Sequence, residues 1–189
     1  MSPATETKRR QLTQAIETLL APHDCILGVV AVGSVATNTA REDSDIDALV
    51  FMSPLDRYIV PAESLWRPSD NTFHSIFDET VANAGAIPLD LVLVDFARCQ
   101  NDEEFWSDEQ KAGLAEGWIA YDPSGEVART VSARTRYDDA VRISKIDIAV
   151  TSIDQILAEG TPERVWHPLG PLRAFDRLLA AYGSTIDLI

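Results

Sequence analysis

Residues 25–51 read CILGVVAVGSVATNTAREDSDIDALVF, and the fold turns on them. Cys25 to Val32 is apolar and rich in β-branched residues, the pattern of a buried strand. Gly33-Ser34 ends it, because glycine lets the backbone turn tightly and approach a ligand closely. Ser34 to Ala40 is small and polar and suits a short helix or turn. Ten residues separate Ser34 from Asp45-Ile46-Asp47-Ala48, which alternates and then turns wholly apolar up to Phe51, a second strand. On such a strand Asp45 and Asp47 project from one face, and Ile46 and Ala48 from the other.

That arrangement carries chemistry. Two carboxylates side by side repel, and a divalent cation relieves the repulsion. Magnesium prefers a few carboxylates, waters and nucleotide phosphates in octahedral geometry. A helix opening at Gly33-Ser34 would point free N–H groups at a phosphate. The Ser34 hydroxyl can add a hydrogen bond to a phosphate oxygen. A third carboxylate on a neighbouring strand would complete a site for two ions. Pro88-Leu89-Asp90-Leu91-Val92-Leu93-Val94-Asp95-Phe96 is that strand, and Asp90 is the candidate. Asp95 lies on the opposite strand face and reads as a strand-end residue. An EF-hand loop is excluded, since Ala48 and Pro54 stand where it needs Gly and Glu.

Outward from this core, Thr5 to Ala21 predicts a helix, with Leu12, Ile16, Leu19 and Leu20 on its apolar face and Lys8, Arg9 and Arg10 on others. Ser53 to Asn71 holds Pro54, Pro61 and Pro68 and reads as irregular. Thr72 to Ala84 fits a helix bearing Phe73, Ile76, Phe77 and Val81. Glu103 to Glu116 reads as an acidic helix and Trp118 to Tyr121 as a short last strand. After Gly125 only helical patterns follow, from Glu126 to Glu159 and from Thr161 through an interruption at His167–Pro171 to Leu179. The predicted fold is α/β (α+β): a small mixed sheet with flanking helices over 1–122, then a helical domain over 123–189.

Composition bounds the function. The 189 residues are 46% hydrophobic, enough for a core without staples. Lys and Arg number 16 against 30 Asp and Glu, a net charge of -14. Such a field disfavours a broad nucleic-acid or anionic-membrane surface, but admits a nucleotide carried by a cation. Cys25 and Cys99 form no CxxC or zinc spacing, and the polar, charged N-terminus is no signal peptide, so the cytoplasm is expected. No P-loop and no GxSxG motif is present.

Gly33-Ser34, Asp45-Ile46-Asp47 and Pro88-Leu89-Asp90-Leu-Val-Leu-Val-Asp95 together resemble the polymerase-beta-like nucleotidyltransferase superfamily, most of all its small bacterial and antibiotic-modifying members. The resemblance covers about residues 8–122. It implies that Gly33 and Ser34 hold a nucleoside triphosphate such as ATP, that Asp45 and Asp47 bind Mg²⁺, and that Asp90 is the third carboxylate, as ligand of a second Mg²⁺ or as base. It implies transfer of a nucleoside monophosphate, AMP being expected, from ATP or another NTP to a hydroxyl, with release of pyrophosphate. Arg41, between the turn and the Asp pair, is a candidate phosphate contact. The acidic surface favours a small, cationic acceptor such as an aminoglycoside. Two rival functions are an antitoxin-type transferase modifying a partner protein and a non-catalytic nucleotide-binding regulator. A homodimer through the helical domain would complete a short bundle.

Each site residue also has a plain structural reading: a solvated strand edge for the Asp pair, a loop cap for Asp90, a surface position for Arg41. Five of the 16 basic residues lie between Arg129 and Lys145, and a salt-bridged helix face explains them better than a phosphate clamp. His23, His74 and His167 show no ligand spacing. Of the tryptophans, Trp66 in the proline-rich segment is the one singled out for ligand contact.

Overall fold

In a computed structural model, residues 1–136 are described apart from 60, 62, 83, 84, 102, 104 and 105, with positions 140, 141, 143, 144, 147, 148, 151 and 158 beyond them. The chain divides into two compact units, Met1–Phe105 with Glu116–Val131, and Trp106–Ala115 with Ser132–Ile189. The helices expected over Thr161 to Leu179 lie outside the described residues.

Helix α1, Pro3–Ala15, starts where the Ser2 side chain accepts the Thr5 N–H and Pro3 supplies a preset first turn. A wider turn, Ile16–Leu20, prolongs it, with the Ala21 N–H donating to the Ile16 carbonyl at 2.8 Å. Strand β1 is Ile26–Ala31, helix α2 the single turn Gly33–Ala36, and strand β2 Ile46–Met52. Strands β3 (Glu63–Arg67) and β4 (Thr72–His74) form a hairpin. After the short α3 (Glu79–Ala82) comes the long strand β5, Ile87–Asp95. Helix α4 (Phe96–Gln100) and strand β6 (Trp118–Tyr121) complete the frame of the first unit, followed by the start of α6 (Glu126–Arg134). Helix α5, Asp108–Ala115, belongs to the second unit.

The six strands lie in the order β4-β3-β5-β2-β1-β6. Only β2 and β5 run parallel; the other pairs are antiparallel. The sheet is mixed and the fold α+β, as the alternation of strand and helix signals predicts. Alternation along the strands sorts the side chains. Ile46, Ala48, Val50 and Met52 join Leu89 and Leu91 in the core, covered by Leu12, Ala15, Ile16 and Leu20 of the first helix. Burying each such side chain stabilises the fold by roughly 1.5–3 kcal/mol. On the other face Phe51 meets Phe96 edge-on, ring centroids 6.2 Å apart.

Three expectations fail here. Ser53 to Asn71 is not wholly irregular, because Glu63–Arg67 adds to β5 as a strand. Thr72 to Ala84 is not one helix: its first three residues are β4, and Phe77 is 85% exposed rather than part of an apolar face. The hairpin wins because Asn71, at φ 58°, closes it and accepts the Trp66 indole N–H at 3.1 Å. Trp66 is fully buried, so it is a core residue and no ligand contact. Within the helical pattern expected over Glu126 to Glu159, α6 ends at Arg134, positions 140, 141, 143, 144, 147, 148, 151 and 158 are helical, and the remainder beyond 136 lies outside the described residues.

Candidate active site

The site is built on the tips of β1, β2 and β5. The Val32 N–H donates to the Asp47 carbonyl at 3.0 Å, which ties the end of β1 to the start of β2. The next residue, Gly33, sits at φ 60°, in the left-handed region. A Cβ there would lie 2.6 Å from Asp47 Oδ2. The backbone angle of Gly33 favours glycine, and a Cβ there would push the Asp47 carboxylate aside. Ser34 follows, half-buried, with its carbonyl accepting the Thr39 N–H at 2.9 Å.

Asp47 is half-buried on β2, and Asp90 is its register partner on the parallel strand β5. Neighbouring strands stand about 4.8 Å apart, so the two carboxylates emerge side by side on one face. Asp45 sits one position before β2 begins, exposed at the end of the loop. The surroundings push the Asp47 carboxyl above its ordinary value, first by burial and then by the negative charges of Asp45 and Asp90. The structure thus brings Asp45, Asp47, Asp90 and Gly33 into one neighbourhood.

Arg41 takes a different position. It is 79% exposed and pairs with Asp43 at 3.3 Å, on the rim of the loop leading to Asp45. Asp95 caps α4, accepting the N–H groups of Ala97 and Arg98, the strand-end role expected of it. Of the basic cluster, Arg129 pairs with Glu126 at 3.8 Å, while Arg142 and Lys145 lie outside the described residues.

Two further residues belong to this neighbourhood and escaped the sequence reading. Glu63 is exposed on β3 as the register partner of Asp90. Asp47, Asp90 and Glu63 therefore form a row across three adjacent strands. Lys8 is only 7% exposed, on the α1 face that also buries Thr5, Leu12 and Ala15. It lies within the electrostatic reach of Asp45 and Asp43, and burial holds its ammonium below the ordinary lysine value. Its spacing to Leu12 and Ala15 placed it on the apolar stripe all along. No local signal marked Glu63, because strand register is a non-local property.

The donor set suits a hard cation: carboxylate oxygens, with no thiol or imidazole. Among the described residues no three such side chains converge on one point. Magnesium does not need that, since it commonly takes one or two carboxylates and completes its shell with water and phosphate. The crowded, partly buried charge on Asp47 is what a cation would relieve. Also among the described residues, no helix is long and apolar enough to cross a membrane.

A mixed sheet that presents paired carboxylates beside a glycine turn offers oxygen donors of the kind a hard cation takes. Residues 10–112 match the nucleotidyltransferase domain family. The match covers more than half of the chain, which belongs to that family and is a nucleotidyltransferase. Among solved structures, a "putative nucleotidyltransferase" from Sulfolobus solfataricus is similar over 53% of this chain and 82% of its own, at 12% identity and a TM-score of 0.31. A toxin-antitoxin with AMP-PNP is similar over 80% of this chain and 96% of its own, at 12% identity and a TM-score of 0.38. No curated protein matches the chain.

Proposed function

We propose that the protein transfers a nucleoside monophosphate, AMP first among the candidates, from a Mg²⁺-bound triphosphate to a hydroxyl of a small molecule. Asp45, Asp47 and Asp90 would hold two Mg²⁺ ions, and Gly33, Ser34 and Arg41 would hold the triphosphate. The ions would supply charge neutralisation at the leaving pyrophosphate and a lowered pKa at the acceptor hydroxyl. The chain's own contribution is placement. Gly33 lets the backbone come against the Asp47 carboxylate, so a phosphate seated on Ser34 would meet the metal ligands directly. Asp90, more open than Asp47, is placed to ligate the second ion or to take the acceptor's proton.

The observation that carries this reading is the packing of Gly33, at φ 60°, against Asp47, itself in register with Asp90. A purely structural aspartate pair would not need a glycine cleared away from its oxygen. The exposed Asp90–Glu63 pair and the net charge of -14 favour a cationic acceptor such as an aminoglycoside. Residues 1–122 would carry the transfer, and 123–189 would form a helical domain.

The test is pyrophosphate release with Mg²⁺ and each of the four nucleotides against a panel of hydroxyl-bearing small molecules, cationic ones included. Release with a small acceptor, lost in both Asp45→Asn and Asp47→Asn proteins that still fold, is the expected result. Label transferred only to a co-purifying protein would install the antitoxin-type reading. Nucleotide binding with no release across the panel would install the regulator.

A further inference from the structure

Lys8 is a lysine that the fold has gone to some trouble to bury. Its residue is 7% exposed, between Thr5 and Leu12 on the inward face of α1. Yet, among the described residues, it makes no hydrogen bond and no ion pair within 4.0 Å, while Arg9 beside it makes three hydrogen bonds. Its stem is enclosed while the ammonium still reaches water, so its three donors stand open to a ligand.

Its surroundings say what is missing. Helix α1 is tied to the segment that follows Gly33-Ser34 at two points. The Arg9 guanidinium donates to the carbonyls of Val35 at 3.2 and 3.1 Å and of Ala36 at 3.1 Å. The Ser2 N–H donates to Asn38 Oδ1 at 2.7 Å. Lys8 lies between these ties, and the nearest charges acting on it are Asp45 and Asp43. Burial draws its proton affinity down, and those two carboxylates pull it back up. Arg41 on the rim differs, since it already spends its charge on Asp43. A triphosphate and the carboxylates of Asp45, Asp47 and Asp90 together carry more negative charge than two divalent ions supply, and the phosphate oxygens are strong acceptors.

We propose that Lys8 binds the phosphates of the nucleotide, as a fixed cation in the wall of the site between α2 and the Asp43–Asp45 loop. The proposal rests on the transfer reading above. It makes Lys8 a substrate-binding residue beside the Asp43–Asp45 loop.

Signs decide the test. Lys8 repels a bare divalent ion at Asp45 but attracts the nucleotide that the ion accompanies. The full-length protein and its Lys8→Met and Lys8→Arg variants are compared by Mn²⁺ binding alone, read by electron paramagnetic resonance, and by calorimetry with Mg²⁺ and a non-hydrolysable ATP analogue. In Lys8→Met, Mn²⁺ alone binds as tightly as in wild type or more tightly, while the nucleotide binds about 10- to 100-fold more weakly. Lys8→Arg, which keeps the charge, recovers most of the nucleotide affinity. A thermal melt confirms that both variants fold.

Three results overturn the proposal. Weakening of Mn²⁺ and nucleotide together makes Lys8 a structural residue. Tightening of both makes it only a counter-ion of Asp45. Unchanged nucleotide affinity in Lys8→Met, with wild type binding well, removes Lys8 and leaves the transfer reading standing. If the wild-type protein itself binds no nucleotide with Mg²⁺, the transfer reading fails and the role of Lys8 falls with it.

Discussion

Replacing Gly33 with alanine adds one methyl group at the most demanding point of the site. Two costs follow, and a second glycine separates them. The first is conformational: at φ 60° an alanine is held in the left-handed region, which costs roughly 1–2 kcal/mol. The second is contact, because the new Cβ would stand 2.6 Å from Asp47 Oδ2 and real Cβ atoms essentially never come under 3.0 Å. The carboxylate must therefore retreat by at least 0.4 Å merely to reach that limit. The Asp47 backbone is held by its strand and by the Val32 N–H, so the side chain has to absorb the shift.

Gly85 is the control. It sits at φ 83° with nothing among the described residues within 4 Å of its would-be Cβ, so Gly85→Ala carries the conformational cost without the contact. In a chain of this size each kcal/mol lowers the melting temperature by about 2–4 °C. Both variants should melt a few degrees below wild type. They should part company in turnover. A misplacement on the order of 1 Å costs about 100-fold, so Gly33→Ala is expected to lose ~10- to 100-fold in kcat/KM while Gly85→Ala keeps wild-type activity. Pyrophosphate release and a thermal melt on the same preparations read both quantities. If Gly33→Ala turns over as fast as Gly85→Ala, the position of Asp47 is not what Gly33 secures, and the site built around that contact is wrong.

Asp47→Asn should abolish turnover and yet raise the melting temperature of the metal-free protein at neutral pH. The folded-state pKa of Asp47 is raised, so its stabilising contribution is present below the ordinary value of 3.8 and is lost as pH rises through the raised one. The gain should accordingly fade in acid, and a variant that melts lower than wild type at pH 7 would refute the electrostatic picture. Arg9→Met removes three hydrogen bonds to α2 and the guanidinium stacked 4.7 Å from the Trp118 ring centroid. A loss of about 1.5–3 kcal/mol is expected in denaturant unfolding, only partly recovered by Arg9→Lys, which lacks the planar fork. Asp95→Ala removes the cap of α4 and should cost about 1 kcal/mol in the same unfolding assay with turnover unchanged. Lost turnover there would place Asp95 in the site after all.

The parts of the fold that were legible in the sequence are those whose signal is local. Cys25 to Val32 and Pro88 to Phe96 are continuous apolar runs, and only a strand buried on much of its length wants that composition. Gly33 breaks the first run where the backbone must turn, and the structure holds it at φ 60°, whereas its approach to Asp47 needed the packed strands to be seen. The β3–β4 hairpin was not legible, because Pro61 and Pro68 flank a strand of only five residues, Glu63–Arg67. Its stability comes from pairing with β5 and from the Trp66–Asn71 bond, neither of which shows as a period along the chain. Glu63 was lost with it. Lys8 was misplaced for another reason: as a charged residue it was assigned to a polar face of the helix, although its spacing to Leu12 and Ala15 puts its stem on the buried one.

These two late arrivals give the site a direction. In an in-line displacement the acceptor oxygen and the leaving pyrophosphate stand on opposite sides of the phosphorus. Lys8 lies by Asp45 and Asp43, whereas Glu63 lies beyond Asp90, on the far side of Asp47 across the sheet. A cation in the wall serves the end where negative charge accumulates, which is the leaving group. Exposed carboxylates serve the end where a cationic acceptor enters and a proton departs. If Lys8 takes the phosphates, the acceptor therefore approaches over β5 and β3. Glu63→Gln should then raise the KM for a cationic acceptor and leave that for the nucleotide unchanged, whereas Lys8→Met should do the reverse. Steady-state kinetics with each substrate varied in turn distinguishes the two, and a shared defect in both variants would refute the division of the site into two ends.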